Sequence, residues 1–127
     1  MKKVTGIGGI FFKANNPDHL REWYRKNLGI ESESWGFAFH WRDDPQTDGG
    51  GATAWSIFPA DTKHFGPSDK QFMINFRVAD LHSLLASLRD QGVEVDPKID
   101  ESEFGKFSWV TDPEGNRVEL WGPPASK

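Results

Sequence analysis

The chain has 127 residues, including six Trp and ten Phe, no Cys, and a net charge of −4. Its pI near 5.5 lacks the basic footprint of a nucleic-acid or anionic-membrane binder, and the absence of thiols removes disulfides, thiolate nucleophiles and thiolate metal sites together. No apolar run approaches the roughly 20 residues of a membrane span, and Met1-Lys2-Lys3 leads into a Gly-rich strand instead of a signal-peptide apolar region, so a single cytoplasmic domain over 1–127 is expected.

The pattern opens with a strand over Val4–Lys13, where Ile10 and Phe12 alternate with Gly9, Phe11 and Lys13. Asn16 then caps a helix carrying Pro17 at its first position, where a missing N–H costs nothing. Leu20, Trp23, Tyr24 and Leu28 recur at helical spacing and predict a buried stripe, and Gly29 supplies the left-handed stop. Short strands are predicted near Ile30–Ser34, Gly36–Arg42 and Ala52–Phe58. Between the last two lies a polar hairpin loop, Asp43 to Gly51.

After a connector over 60–70, the order repeats. Gln71–Val78 alternates, with Phe72, Ile74, Phe76 and Val78 on one face and Gln71, Met73, Asn75 and Arg77 on the other. Asp80 caps a helix whose Leu81, Leu84, Leu85 and Leu88 form a stripe, ended by Gly92. Strands are predicted near Val93–Ile99, Lys106–Thr111 and Arg117–Trp121, with an Asp112-Pro113-Glu114-Gly115-Asn116 turn between the last two.

Residues 4–59 and 71–123 are therefore two βαβββ modules, and they match directly in sequence. Gly9–Ala14 aligns with Met73–Val78 at an offset of 64, Asn16 with Asp80, Leu20 with Leu84, and Ala54–Pro59 with Val118–Pro123. A module of this kind cannot bury its apolar face alone. The expected fold is α+β, with two modules forming curved mixed sheets around a shared cavity. In each, the helix should cover Ile10 and Phe12, or Ile74, Phe76, Val118 and Leu120. The opposite face carries Gly9, Phe11, Lys13, Met73, Asn75, Arg77, Arg117, Glu119 and Trp121, a mixture of polar groups and aromatics that suits a partly wet concave surface.

The paired modules, the Asp-Pro-Glu-Gly-Asn turn and the following Arg117-Val118-Glu119-Leu120-Trp121 resemble the vicinal oxygen chelate superfamily, which includes glyoxalase I, extradiol dioxygenases and fosfomycin- and bleomycin-resistance proteins. The resemblance implies a homodimer. It also implies metal ligands on the first and last strands of each module, which fall here on Gly9, Trp55, Met73 and Glu119. Only Glu119 among them is an oxygen ligand of the kind a hard or borderline divalent cation needs in numbers. No cofactor is expected, and a divalent metal only through a non-standard site, for which His40 on its strand is the substitute ligand; its plainer reading is a solvated strand histidine. His19, His64 and His82 read as surface residues.

Glu119 is the candidate catalytic residue. Trp109 across the hairpin and Trp55 in the other module are its expected neighbours, and lost hydration among indoles would favour the neutral acid and suit proton transfer. The plainer reading is a structural carboxylate bonded to Arg77 or Arg117. Phe11, Trp55, Met73, Asn75, Arg77, Phe107, Trp109 and Trp121 are the candidate ligand-binding residues, with core packing or a dimer interface as the alternative for each aromatic. No Ser or Thr has a neighbouring base, and Gly49-Gly50-Gly51 does not open a helix, so neither a nucleophilic hydrolase nor a phosphate loop is indicated.

The leading expectation is metal-independent binding of a small aromatic or hydrophobic molecule, with Glu119 as counter-charge to a cationic one. The alternative is a glyoxalase- or dioxygenase-like enzyme. It would use Glu119 with a displaced metal, or work by metal-free acid–base chemistry with Arg77 or Lys13 stabilising negative charge.

Overall fold

The computed structural model describes residues 3–43 and 50–124. In chain order the elements are β1 (Val4–Ala14), α1 (Pro17–Leu28), β2 (Phe37–His40), a 3-10 turn at Trp41–Asp43, β3 (Ala52–Pro59), β4 (Phe72–Val78), α2 (Leu81–Asp90), β5 (Glu94–Val95), β6 (Asp100–Ser102), β7 (Gly105–Thr111) and β8 (Arg117–Gly122). Most of the expected hairpin loop, 44–49, lies outside the described residues. The chain divides into two compact units, Gly9–Phe72 and Met1–Gly8 with Met73–Lys127.

In the Gly9–Phe72 unit, β3 pairs parallel with β1 and antiparallel with β2. Helix α1 begins where the sequence predicts, Asn16 Oδ1 accepting from the His19 N–H at 3.1 Å. It ends at Gly29 with φ 71°, a conformation glycine adopts without steric cost. The predicted buried stripe does not form. No residue of α1 is buried, and Trp23 and Leu28 are 50% and 61% exposed. The rest of the helix is polar and tied into its own ion pairs, Asp18–Arg21 and Glu22–Arg25, leaving an apolar stripe too narrow to seat it. Ile10, expected under the helix, is 40% exposed.

Residues 30–34 also depart from expectation, running as irregular backbone where a strand was predicted. Ser32 N–H donates to Ile30 O, and Glu33 and Gly36 exchange backbone bonds at 3.0 Å, so the backbone groups are satisfied locally and no ladder is available. Gly36, with φ 132°, lies close against Ser56 and the Trp55 carbonyl.

The other unit holds the continuous core. Its β4 pairs parallel with β8, β8 antiparallel with β7, and both β5 and β6 lie on the far edge of β7. Val78, Leu81, Leu84, Leu85 and Leu120 are buried together, with Phe76, Leu88, Val95, Ile99, Val110 and Val118 packed around them. Asp80 caps α2 through the Ser83 N–H at 3.1 Å, and the backbone and hydroxyl bonds from Ser83 hold its carboxyl below the ordinary value of 3.8. The strand expected over Val93–Ile99 shortens to β5, and β6 lies beyond its predicted end. Pro97 offers no N–H, and Asp96 turns the chain by accepting from Lys98 N at 2.9 Å, so pairing resumes only at β6.

The two units pair their first and last strands in different registers. In one, Ile10 lies opposite Trp55 and Phe11 opposite Ser56. In the other, Ile74 lies opposite Val118 and Asn75 opposite Glu119. Taking Ile10 as the counterpart of Ile74, Trp55 matches Val118, and the counterpart of Glu119 is Ser56. A shift of one residue exchanges the two faces of a strand.

Candidate functional site

The residues that carry chemistry gather on the face of β4, β8 and β7 away from α2. Strand alternation and register place three rows there: Asn75–Glu119–Trp109, then Arg77–Trp121–Phe107, with Met73, Arg117 and Thr111 at the other side. Seven of the nine candidate site residues therefore share one face: Met73, Asn75, Arg77, Phe107, Trp109, Glu119 and Trp121.

The middle row is closed off. Glu119 and Asn75 are each 2% exposed, and Met73 and Trp109 are buried beside them. Asn75 Nδ2 donates to Glu119 Oε1 at 2.6 Å, and Trp109 Nε1 donates to Oε2 at 2.9 Å. A buried carboxylate needs such donors on both oxygens. The arginines expected at Glu119 sit on aromatic faces: Arg117 over Trp109 at 5.0 Å, also 3.4 Å from Asp96, and Arg77 over Trp121 at 5.6 Å.

Gly8 makes this arrangement possible. A Cβ there would collide with Asn75 Oδ1 and come within 2.9 Å of the Trp121 ring. Asn75 Oδ1 is buried without a hydrogen-bond partner and faces that glycine, so the amide is positioned by Glu119 on one side and by the absent side chain on the other. Gly8 and Asp96 were missed at the sequence level. The Gly6–Gly9 run carried a signal for the first, since glycine inside a strand often marks a close approach.

The remaining row is more open. Arg77, Trp121 and Phe107 are partly buried, with Trp121 between the other two by register. The Phe107 and Trp121 rings are near parallel at 8°, with centroids 6.1 Å apart, and Trp121 Nε1 is fixed to Phe104 O at 2.7 Å.

Phe11 and Trp55 belong to the Gly9–Phe72 unit and do different work there. Phe11 is buried, meeting Phe58 at 5.7 Å and His64 at 6.0 Å. Trp55 packs on the α1 side, 4.8 Å from Tyr24 and 5.6 Å from Phe12, and by register it matches Val118 of the other unit instead of Glu119. Ser56, which takes the matching place, is buried and donates to Trp35 O at 2.7 Å. His40 is exposed on β2, at a shallow groove of about 520 Å³ lined also by Leu28, Ile30, Phe37, Phe39 and Trp41.

These side chains decide whether the superfamily's metal fits. With the register corrected, the ligand positions hold Gly9, Ser56, Met73 and Glu119. Gly9 has no donor, Met73 is soft, Ser56 spends its proton on a carbonyl, and both Glu119 oxygens already accept N–H groups. Among the described residues no three His, Cys, Asp or Glu side chains gather as a metal site would. The donor set does not fit the metal.

A family model described as a glyoxalase-like domain matches residues 9–121. The chain belongs to the glyoxalase-like family. No curated protein matches its sequence. Among solved structures, Streptomyces coelicolor methylmalonyl-CoA epimerase in complex with 2-nitronate-propionyl-CoA is 20% identical, with TM-score 0.67 over 96% of this chain and 99% of that one. The Mycobacterium tuberculosis methylmalonyl-CoA epimerase is 18% identical, with TM-score 0.63 over 96% and 90%. A chain of NAD-dependent benzaldehyde dehydrogenase from Legionella pneumophila is 16% identical, with TM-score 0.60 over 91% and 98%. At these identities the likeness to the solved structures is one of fold, an α+β architecture; it is the glyoxalase-like family match over 9–121 that supports the vicinal oxygen chelate superfamily. Among its described residues, no helix is long and apolar enough to cross a membrane.

Proposed function

We propose that this glyoxalase-like protein is a metal-independent member of its family that binds a small aromatic or hydrophobic molecule on the Glu119 face. The observation that carries the reading is the pairing of Glu119 with Asn75 and Trp109, which turns the one retained carboxylate into an internal anchor for the aromatic wall. Trp121 and Phe107, beside it and partly open, supply the contact surface. The exposed Trp23, Leu28, Trp35 and Phe39 of the Gly9–Phe72 unit support a homodimer, and the setting is read as cytoplasmic.

Titration of chelator-treated protein with 4-nitroaniline, followed by tryptophan quenching, tests this. Saturable binding unaffected by added Zn²⁺ or Mn²⁺, and weakened roughly two- to tenfold by Trp121→Ala, is expected. A strict requirement for a divalent ion would overturn it.

The competing reading is a glyoxalase-like lyase or isomerase, or a dioxygenase-like enzyme, acting through Glu119. It is favoured by a buried carboxylate lying among aromatics. It requires a substrate to displace Asn75 or Trp109 from an oxygen, and it predicts that Glu119→Gln abolishes turnover while leaving neutral aromatic binding in place.

A further inference from the structure

The Glu119 carboxylate is shut in, so the charge that meets a ligand on this face is a different one. Arg77 is partly exposed, and among the described residues no carboxylate pairs with it. Its guanidinium lies over the Trp121 ring at 5.6 Å. No side-chain hydrogen bond or ion pair of this guanidinium is seen among the described residues, and a guanidinium presents N–H donors in a fork that matches a carboxylate through two parallel bonds. The ring beneath it also limits hydration, which strengthens attraction to an anion. At the far end of the same row, Asp100 lies opposite Phe107 but is offset by Lys98 at 3.5 Å. The uncompensated charge of the row is positive, on a chain whose net charge is −4.

We propose that the molecule bound on this face is a planar aromatic acid, its carboxylate held by the Arg77 fork and its ring laid against Trp121 and Phe107. This rests on the ligand-binding reading above and names the ligand class within it. It reverses the expectation, drawn from the sequence, that Glu119 selects a cation. An organic ammonium would meet Arg77 instead and be repelled.

Three ligands sharing one ring separate the charge states: indole-3-acetate, indole-3-acetamide and tryptamine, titrated calorimetrically at low ionic strength into wild type, Arg77→Gln and Arg77→Lys. Wild type is expected to bind the acetate about tenfold more tightly than the acetamide, with tryptamine weakest and added KCl eroding the preference. Arg77→Gln should bring acetate down to the acetamide level while acetamide binding persists, which also reports that the variant is folded. Arg77→Lys, keeping the charge without the fork, should fall between. Tryptamine binding as tightly as acetate, or an acetate preference surviving in Arg77→Gln, would overturn the assignment and leave ligand binding itself intact. Failure of all three ligands to bind would sink the ligand-binding reading and this assignment together.

Discussion

Helix α2 buries Leu81, Leu84 and Leu85 among the apolar residues of its own unit, whereas α1, following a strand of the same pattern, buries none of its 12 residues. The units differ again in strand register. Ser56 lies where the other unit has Glu119, and Trp55, one position earlier, faces α1. Both units open with a strand and a capped helix, but the strands that follow differ in number, and stripe width and a one-residue register shift decide which side chains meet. Only the unit with the packed helix carries the polar and aromatic rows of the candidate site.

The largest expected effect tests the contrast between helices. Leu85 is 1% exposed, so Leu85→Ala should cost about 2–5 kcal/mol by urea denaturation. Leu28→Ala on α1 should stay within about 0.5 kcal/mol. Equal losses at the two positions would erase the distinction.

Next comes the support of the site. Gly8→Ala forces Asn75 and Trp121 aside and should cost about 1–3 kcal/mol. It should also move the Trp109 indole N–H resonance, because the Asn75–Glu119–Trp109 bonds shift together. Glu119→Gln leaves a single acceptor oxygen for the Asn75 and Trp109 donors, so its N–H₂ either opposes one of them or turns the Asn75 amide over, and about 1–3 kcal/mol should be lost. An unchanged indole resonance in either variant would contradict the hydrogen bonds described.

A smaller effect lies at the α2 cap. Asp80→Ala should lower the melting temperature slightly, with Asp80→Asn retaining most of the cap. The carboxyl of Asp80 is held below 3.8 in the folded state, so its charge-dependent contribution is present above that value and lost as pH falls through the lowered one. The melting-temperature gap between wild type and Asp80→Asn should therefore narrow below about pH 4. A gap that widens on acidification would reverse the sign. The smallest change is expected at Ser108, fully buried with its hydroxyl unpaired: Ser108→Ala should be neutral or slightly stabilising.

Local chemistry made much of this legible. Asn16–Pro17 and Gly29 bounded α1, Asp80 capped α2, and strict alternation in β4 and β8 put Met73, Asn75, Arg77, Glu119 and Trp121 on one face. What escaped was set by partners. The fate of Trp23 depended on how polar the rest of α1 is, and that of Trp55 on a pairing register that sequence similarity at an offset of 64 does not encode. Pro97 carried a readable signal for the split between β5 and β6, since it cannot donate to a ladder. The closure of Glu119 was not readable, because it requires Gly8, Asn75 and Trp109 to converge from three strands.

Glu119 is proposed to serve as a hydrogen-bonded anchor with no ion on it. Elemental analysis of protein purified without affinity metals and dialysed against buffer tests this most directly. Only trace divalent metal per chain is predicted. Stoichiometric metal that survives dialysis and is lost in Glu119→Ala would contradict it.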